Sequence, residues 1–130
     1  MTINMTPEEY HAMEGKPKRK SKYGNKKVKY DGYTFDSKAE HGHYLHLKDR
    51  VARGEIHNLV VHERFEIHPA FTDRYGIKRR RIVHEVDFSY DYKGTRVVVD
   101  VKGVETRHWR DKRKMFLLRY PEIDYQVVKV

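Results

Sequence analysis

The segment IVHEVDFSYDYKGTRVVVDVK, residues 82–102, decides the fold of this 130-residue chain. Apolar and polar residues alternate through residues 82–92, and the valine-rich run RVVVDVK (96–102) follows Lys93 and Gly94; a short turn between two such runs is typical of a β hairpin. The pattern therefore predicts two antiparallel strands, residues 82–92 and 96–102.

The register of this hairpin places acidic residues together. Symmetric closure about the turn sets Asp87 opposite Asp100 and Glu85 opposite Lys102, and because strand side chains alternate, all four project from one face. Two carboxylates roughly 5 Å apart repel by about 3 kcal/mol at an effective dielectric of about 20. Such a pair weakens a sheet, so it predicts a functional site. A divalent cation or a raised pKa would remove the conflict, and oxygen ligands suit Mg²⁺ or Mn²⁺.

A first helix is predicted upstream of the hairpin. Ser37 and Glu40 have the spacing of a capping box and Gly54 marks the exit, so the helix runs from Ser37 to about Arg53. Its buried face, at helical spacing, is expected to contain Glu40, Tyr44, Leu47 and Val51. Glu40 has two interpretations at this point, a cap of the helix and a ligand of the acidic site.

The remaining segments complete an α/β pattern. They are a hairpin at 28–35 around Asp31-Gly32, strands between 56 and 69, a helix from Thr106 to about Tyr120, and a buried strand at 125–130. We therefore expect one α/β domain over residues 28–130, with a mixed central sheet flanked by two helices. Residues 1–27 are expected to form a flexible basic N-terminal arm.

Composition limits the classes of partner and cofactor. The chain has 28 Lys and Arg against 19 Asp and Glu, a net charge of +9, which favours a polyanion such as nucleic acid. It has no cysteine, which excludes disulfides, zinc ribbons and thiol nucleophiles. No signal peptide or membrane span is evident, so we expect a soluble, cytoplasmic protein that needs no small-molecule cofactor.

Basic residues are concentrated in three places: the arm, residues 78–81, and one face of the last helix, whose other face is expected to bury Trp109 and residues 115–118. The alternative for each is an ordinary solvated surface. The residues predicted to contact DNA phosphates are Lys18, Arg19, Lys20, Arg79, Arg80, Arg81, Arg107, Arg110 and Lys114.

The order of these features resembles the PD-(D/E)XK nuclease superfamily. Asp87 stands at the first acidic position, Asp100-Val101-Lys102 at the (D/E)XK position, and Glu40 at the helix glutamate. The runs FDSKAE (35–40) and VDVKG (99–103) are similar to small phage-encoded nucleases grouped with Holliday junction resolvases. The chain departs from the pattern in two ways, because no Pro precedes Asp87 and because His62 stands where a glutamine is expected.

The resemblance implies a restriction-endonuclease-like core that hydrolyses DNA phosphodiesters with Mg²⁺, for which Mn²⁺ substitutes. Asp87, Asp100 and the carbonyl of Val101 would hold the ion, with Glu40 bound through water or at a second site. Lys102 would position the attacking water and neutralise developing charge. Branched DNA, such as a Holliday junction, is the expected substrate, cut by a homodimer. The alternatives are a nicking or restriction-type endonuclease on duplex DNA and a non-catalytic DNA-binding module.

Overall fold

The computed structural model describes residues 27–130, so the predicted arm, with Lys18, Arg19 and Lys20, lies outside the described residues. The elements follow in the order β1 (Val28–Tyr30), β2 (Tyr33–Phe35), α1 (Lys38–Ala52), β3 (His57–Val61), β4 (Arg64–His68), β5 (Phe71–Thr72), β6 (Lys78–Arg79), β7 (Ile82–Glu85), β8 (Phe88–Tyr92), β9 (Thr95–Lys102), α2 (Arg107–Arg119) and β10 (Asp124–Lys129). Within this part of the chain, neither helix has the length and hydrophobicity to cross a membrane.

A four-stranded mixed sheet forms the centre of the fold, in the order β10-β9-β8-β3. β10 runs parallel to β9, whereas β8 is antiparallel to both β9 and β3. Phe88 lies opposite Val99 and Tyr92 opposite Thr95, which is the predicted register. Lys93 and Gly94 both have positive φ, 48° and 80°, as a tight hairpin turn with the right twist requires. The predicted α/β class with a mixed sheet is confirmed.

The two helices cover opposite faces of this sheet. In β9, Val97 and Val99 pack with Tyr44 and Leu47 of α1, whereas Val98 belongs to a second core with Trp109 and Phe116 of α2. Adjacent β9 residues serve different cores because strand side chains alternate between the two faces.

Both helices begin where the sequence predicts, but each buries fewer residues than expected. Ser37 Oγ accepts a hydrogen bond from the Glu40 N–H at 3.1 Å, and Thr106 Oγ1 accepts from the Trp109 N–H at 3.2 Å. Val51, in the last turn of α1, is exposed, as are Leu117 and Leu118 of α2. A helix turns about 100° per residue, so Leu117 and Leu118, which follow the buried Phe116, point away from the sheet.

The prediction of one continuous strand over residues 82–92 is wrong. The chain bends at Val86 and Asp87: Val86 packs in the α2 core and Phe88 in the α1 core. The backbone stays paired through the bend, because the Val86 N–H donates to the Glu63 carbonyl and the Asp87 carbonyl accepts from His62 N–H.

The strand before the bend belongs to a separate ribbon. β7 pairs antiparallel with β4, and β5 pairs with β6 beyond it. Glu85 therefore lies opposite Arg64, and the predicted pairing of Glu85 with Lys102 is wrong. Residues 71–79 complete the ribbon as a short hairpin.

β10 is an edge strand, which corrects the prediction of a buried strand at residues 125–130. Tyr125 is buried, but Gln126, Lys129 and Val130 are exposed. The Val130 N–H still donates to the Lys102 carbonyl at 3.2 Å, so the end of β10 supports the end of β9.

Candidate functional site

Three side chains from different elements converge beside the bend in the chain. Glu40 lies in the first turn of α1, His62 follows β3, and Asp87 precedes β8. One potential ligand atom from each residue lies within 4.8 Å of the others. The His62 N–H donates to the Asp87 carbonyl at 3.0 Å, which ties two of the three residues together through the backbone.

Glu40 uses both carboxylate oxygens. Oε2 accepts from the Asp36 N–H at 3.1 Å, next to the helix cap, and Oε1 lies 2.8 Å from His62 Nε2. The two interpretations of Glu40, as a cap residue and as a site residue, are therefore compatible. Burial raises the pKa of Glu40 although the hydrogen bond with His62 opposes this shift. A hydrogen bond between Oε1 and Nε2 requires one proton between them, which a metal ion binding both atoms would displace.

The surroundings of Asp87 disfavour the charged form of its carboxyl group. Its Oδ2 accepts a hydrogen bond from the Val101 N–H at 2.7 Å. Burial, followed by the negative charges of Asp100 and Glu40, raises the pKa of Asp87 to about 8, against the opposing effects of that hydrogen bond and of Lys102. A cation at this point would remove the conflict.

Asp100 lies in a different environment from the one predicted. Its Oδ2 accepts from Trp109 Nε1 at 2.9 Å and from the Tyr125 hydroxyl, on the α2 side of the sheet. Its Oδ1 accepts from the Asp87 N–H at 3.0 Å. The two aspartates are neighbours, as predicted, but the Asp100 carboxylate does not belong to the group of potential metal ligands that contains Asp87. The bend at Asp87 is the reason, because it interrupts the alternation that the prediction assumed.

Hydrogen bonding makes Asp100 a stable carboxylate. Burial opposes its ionisation, but the hydrogen bonds from His84, Tyr125 and Trp109 outweigh burial and lower the pKa of Asp100. His84 Nε2 also lies 2.7 Å from the Tyr125 hydroxyl, so these side chains form one buried network. Asp100 itself is 1% exposed.

Lys102 lies on the same side as Asp100. Its Nζ is 5.4 Å from the centroid of the Trp109 ring, and its charge lowers the pKa of both Asp87 and Asp100. Val101, between the two predicted site residues, contributes its N–H to Asp87. The role of its carbonyl as a ligand stays a prediction.

The predicted phosphate-binding residues fall into two described groups. Arg107, Arg110 and Lys114 are exposed on α2. In the ribbon, Arg79 forms an ion pair with Asp73 at 2.9 Å, so it stabilises the hairpin. Arg80 and Arg81 are exposed and form no ion pair within residues 27–130. They line an open concavity of about 620 Å³, whose lining residues are Arg64, Ala70, Arg80, Arg81 and Val83.

Sequence reasoning did not assign His62 to the site. The signal was its departure from the expected glutamine, since imidazole nitrogen is also a metal ligand. Trp109 and Tyr125 were not assigned to Asp100 either. No sequence signal marked them, because buried aromatic residues at these positions are equally typical of a hydrophobic core.

Comparison with known proteins gives a family for nearly the whole chain. Residues 20–130 match the family model described as "Protein of unknown function (DUF1064)". The matched range includes all three residues of the convergent group and both described basic groups. No curated protein and no solved structure matches the chain.

Proposed function

The chain belongs to the DUF1064 family, and we propose that it is a metal-dependent DNA endonuclease related to the PD-(D/E)XK superfamily and selective for branched DNA. The observation that carries this proposal is the convergence of Glu40, His62 and Asp87 beside the (D/E)XK strand. The description of the family assigns no activity, so the argument rests on these side chains and on the resemblance described above.

The residues of the group fit a divalent metal ion. Two carboxylates and one imidazole are suitable ligands, and the raised pKa of Asp87 shows that the protein alone does not stabilise its charge. Mg²⁺ prefers oxygen ligands, whereas imidazole nitrogen also suits Mn²⁺. We therefore propose that Mn²⁺ supports the reaction at least as well as Mg²⁺.

Each neighbouring residue has a defined part in the proposed reaction. Glu40, His62 and Asp87 would hold the ion, which polarises a phosphoryl oxygen and lowers the pKa of a bound water. Lys102 supplies a positive charge near the site for the developing negative charge of the phosphate. Asp100 would not bind the ion directly; it holds the Asp87 N–H and so fixes the position of that ligand.

DNA is the proposed substrate because two exposed basic groups accompany the site. The α2 group consists of Arg107, Arg110 and Lys114, and the ribbon group of Arg80 and Arg81. Contacts between these cations and DNA phosphates would hold the backbone but would not distinguish bases, which favours selection by DNA shape. The preference for a junction follows from the resemblance. Two cuts at one junction need two sites, so we propose a homodimer.

Cleavage of an end-labelled four-way junction and of a linear duplex, each with Mg²⁺, Mn²⁺ or EDTA, tests the proposal. We expect metal-dependent cleavage that prefers the junction. Asp87→Asn should lower the rate by at least about 10³-fold, equivalent to about 4 kcal/mol of transition-state stabilisation. Asp124→Asn, which changes an exposed aspartate on β10, is the matched control and should cleave normally.

The outcomes separate the alternatives. Equal cleavage of both DNAs would favour the duplex endonuclease. DNA binding without metal-dependent cleavage would favour the binding module. Cleavage that survives EDTA, or that Asp87→Asn leaves intact, would contradict the metal site.

A further inference from the structure

The β5–β6 hairpin presents unusual apolar surface to solvent. Phe71 is 50% exposed, Tyr75 78% and Ile77 49%. Single exposed apolar side chains are common, but three within seven residues at the end of a ribbon form a patch. The proposed active site does not account for this patch.

The turn that carries Tyr75 is held by a specific set of hydrogen bonds. Asp73 Oδ1 accepts from the Tyr75 N–H at 2.8 Å and from the Ile77 N–H at 3.0 Å, while Oδ2 pairs with Arg79. Gly76 has the positive φ, 78°, that the turn requires. The turn therefore holds the backbone of Tyr75 in a defined position, which reduces the backbone entropy lost when a partner binds the ring.

The charge around the ring suits a polyanion. Asp73 is the acid of the turn, and Arg79 neutralises it. The guanidinium carbon of Arg74 lies 5.6 Å from the centroid of the Tyr75 ring. The other cations of the hairpin and its base are exposed: Lys78, Arg80 and Arg81. An exposed aromatic ring among exposed cations is the arrangement by which proteins stack on nucleic acid bases while holding the backbone.

The ribbon connects this hairpin to the candidate site. At its base, Arg64 pairs with Glu85, immediately beyond His62 and Asp87. Twelve residue steps along the chain separate Asp87 from Tyr75, which at about 3.3 Å per residue is at most about 40 Å. One DNA molecule can therefore contact both the site and the hairpin.

We propose that the β5–β6 hairpin is a DNA contact in which Tyr75 stacks on an unpaired base while Arg80 and Arg81 bind neighbouring phosphates. This inference rests on the proposed function, and it names the DNA feature that the chain selects. Paired bases within a duplex have both faces covered, so a free ring favours the splayed bases of a branch or bulge. The recognised base would lie within about twelve base pairs of the cleaved phosphate, given about 3.4 Å per base pair.

Binding without cleavage tests the inference separately from the activity. A labelled duplex with one unpaired 2-aminopurine is compared with the fully paired duplex by fluorescence anisotropy in EDTA. Tyr75→Ser should weaken binding to the unpaired-base duplex by about 5- to 100-fold and binding to the paired duplex by about twofold or less. Tyr75→Phe, which keeps the ring, should bind as wild type and quench 2-aminopurine fluorescence equally.

Leu45→Ser, at an exposed apolar residue of α1, is the control and should affect neither DNA. Thermal unfolding checks that the Tyr75 variants remain folded. Equal weakening on both duplexes, or unchanged binding by Tyr75→Ser, would overturn the hairpin contact even if the protein cleaves DNA. Selective weakening by Tyr75→Ser in a protein that never cleaves would support the contact and reject the nuclease.

Discussion

Asp87 and Asp100 are neighbours at the end of one hairpin, yet their surroundings shift their pKa values in opposite directions. Buried Asp100 receives hydrogen bonds from Trp109 and Tyr125, and its pKa is lowered. Asp87 accepts one backbone hydrogen bond, and burial followed by the negative charges of Asp100 and Glu40 raises its pKa. The protein satisfies one carboxylate and leaves the other in need of a positive charge.

This difference distinguishes an acid whose charge the protein stabilises from an acid whose charge it does not stabilise. Residue type and register made the two aspartates look equivalent. Neutral donors of the α2 core surround Asp100, so its charge contributes to stability. Asp87 lies where a charge costs stability unless a ligand is bound, which is typical of functional sites. Three predictions test this contrast, beginning with the largest expected effect.

Asp100→Ala should destabilise the protein by about 3–5 kcal/mol, because it leaves the Trp109 and Tyr125 donors and the Asp87 N–H without an acceptor in a buried region. Denaturant unfolding in EDTA measures the change, with Asp124→Ala on exposed β10 as the control. A loss below about 1 kcal/mol would show that the network around Asp100 is not structural.

Asp87→Asn should stabilise the metal-free protein by about 1–3 kcal/mol at pH 8.5. The folded pKa of about 8 exceeds the ordinary value of 3.8. As pH rises from 3.8 to about 8, ionisation of Asp87 therefore increasingly favours the unfolded state. The amide is uncharged and keeps an acceptor for the Val101 N–H. Unfolding at pH 4 and pH 8.5 in EDTA measures the difference.

The gain should shrink to about 0.6 kcal/mol or less at pH 4, because the unfolded carboxyl, with its ordinary pKa of 3.8, is then only about 60% ionised. Saturating Mn²⁺ should reverse the order at pH 8.5, since only wild type retains the full set of proposed ligands. If Asp87→Asn is destabilising at both pH values, the charge of Asp87 is already compensated within the protein, and the contrast with Asp100 fails.

Trp109→Phe should destabilise the protein by about 1 kcal/mol, because it removes the indole N–H donor to Asp100 and keeps most of the ring. The pKa of Asp100 is lowered by its donors, so this contribution is present above the ordinary value of 3.8 and is lost as pH falls through the folded pKa. Unfolding measured between pH 3 and pH 7 tests this: a destabilisation that does not change with pH would assign the effect to packing alone.

The sequence predicted those parts of the fold that depend on local signals. The Lys93-Gly94 turn gave the β8–β9 register, and Ser37 and Thr106 gave the starts of both helices. Glu40 and Asp87 were also assigned to one site. These features follow from turn and cap chemistry, in which a few adjacent residues determine the structure.

The bend before Asp87 could not be predicted, because alternation continues through residues 82–92 without a glycine or proline. It depends on backbone pairing with Glu63 and His62, which are more than twenty residues away. The position of Asp100 depends on Tyr125 in the same way. Contacts at long sequence separation thus decided which acid faces which core.

The consecutive valines of β9 point alternately into the two cores, and this limits how the sequence of the strand can change. Val97 and Val99 fill one core and Val98 the other, so inserting or deleting one residue within β9 would exchange the occupants of both cores at once. Length variation should therefore be excluded from this strand during divergence of related sequences.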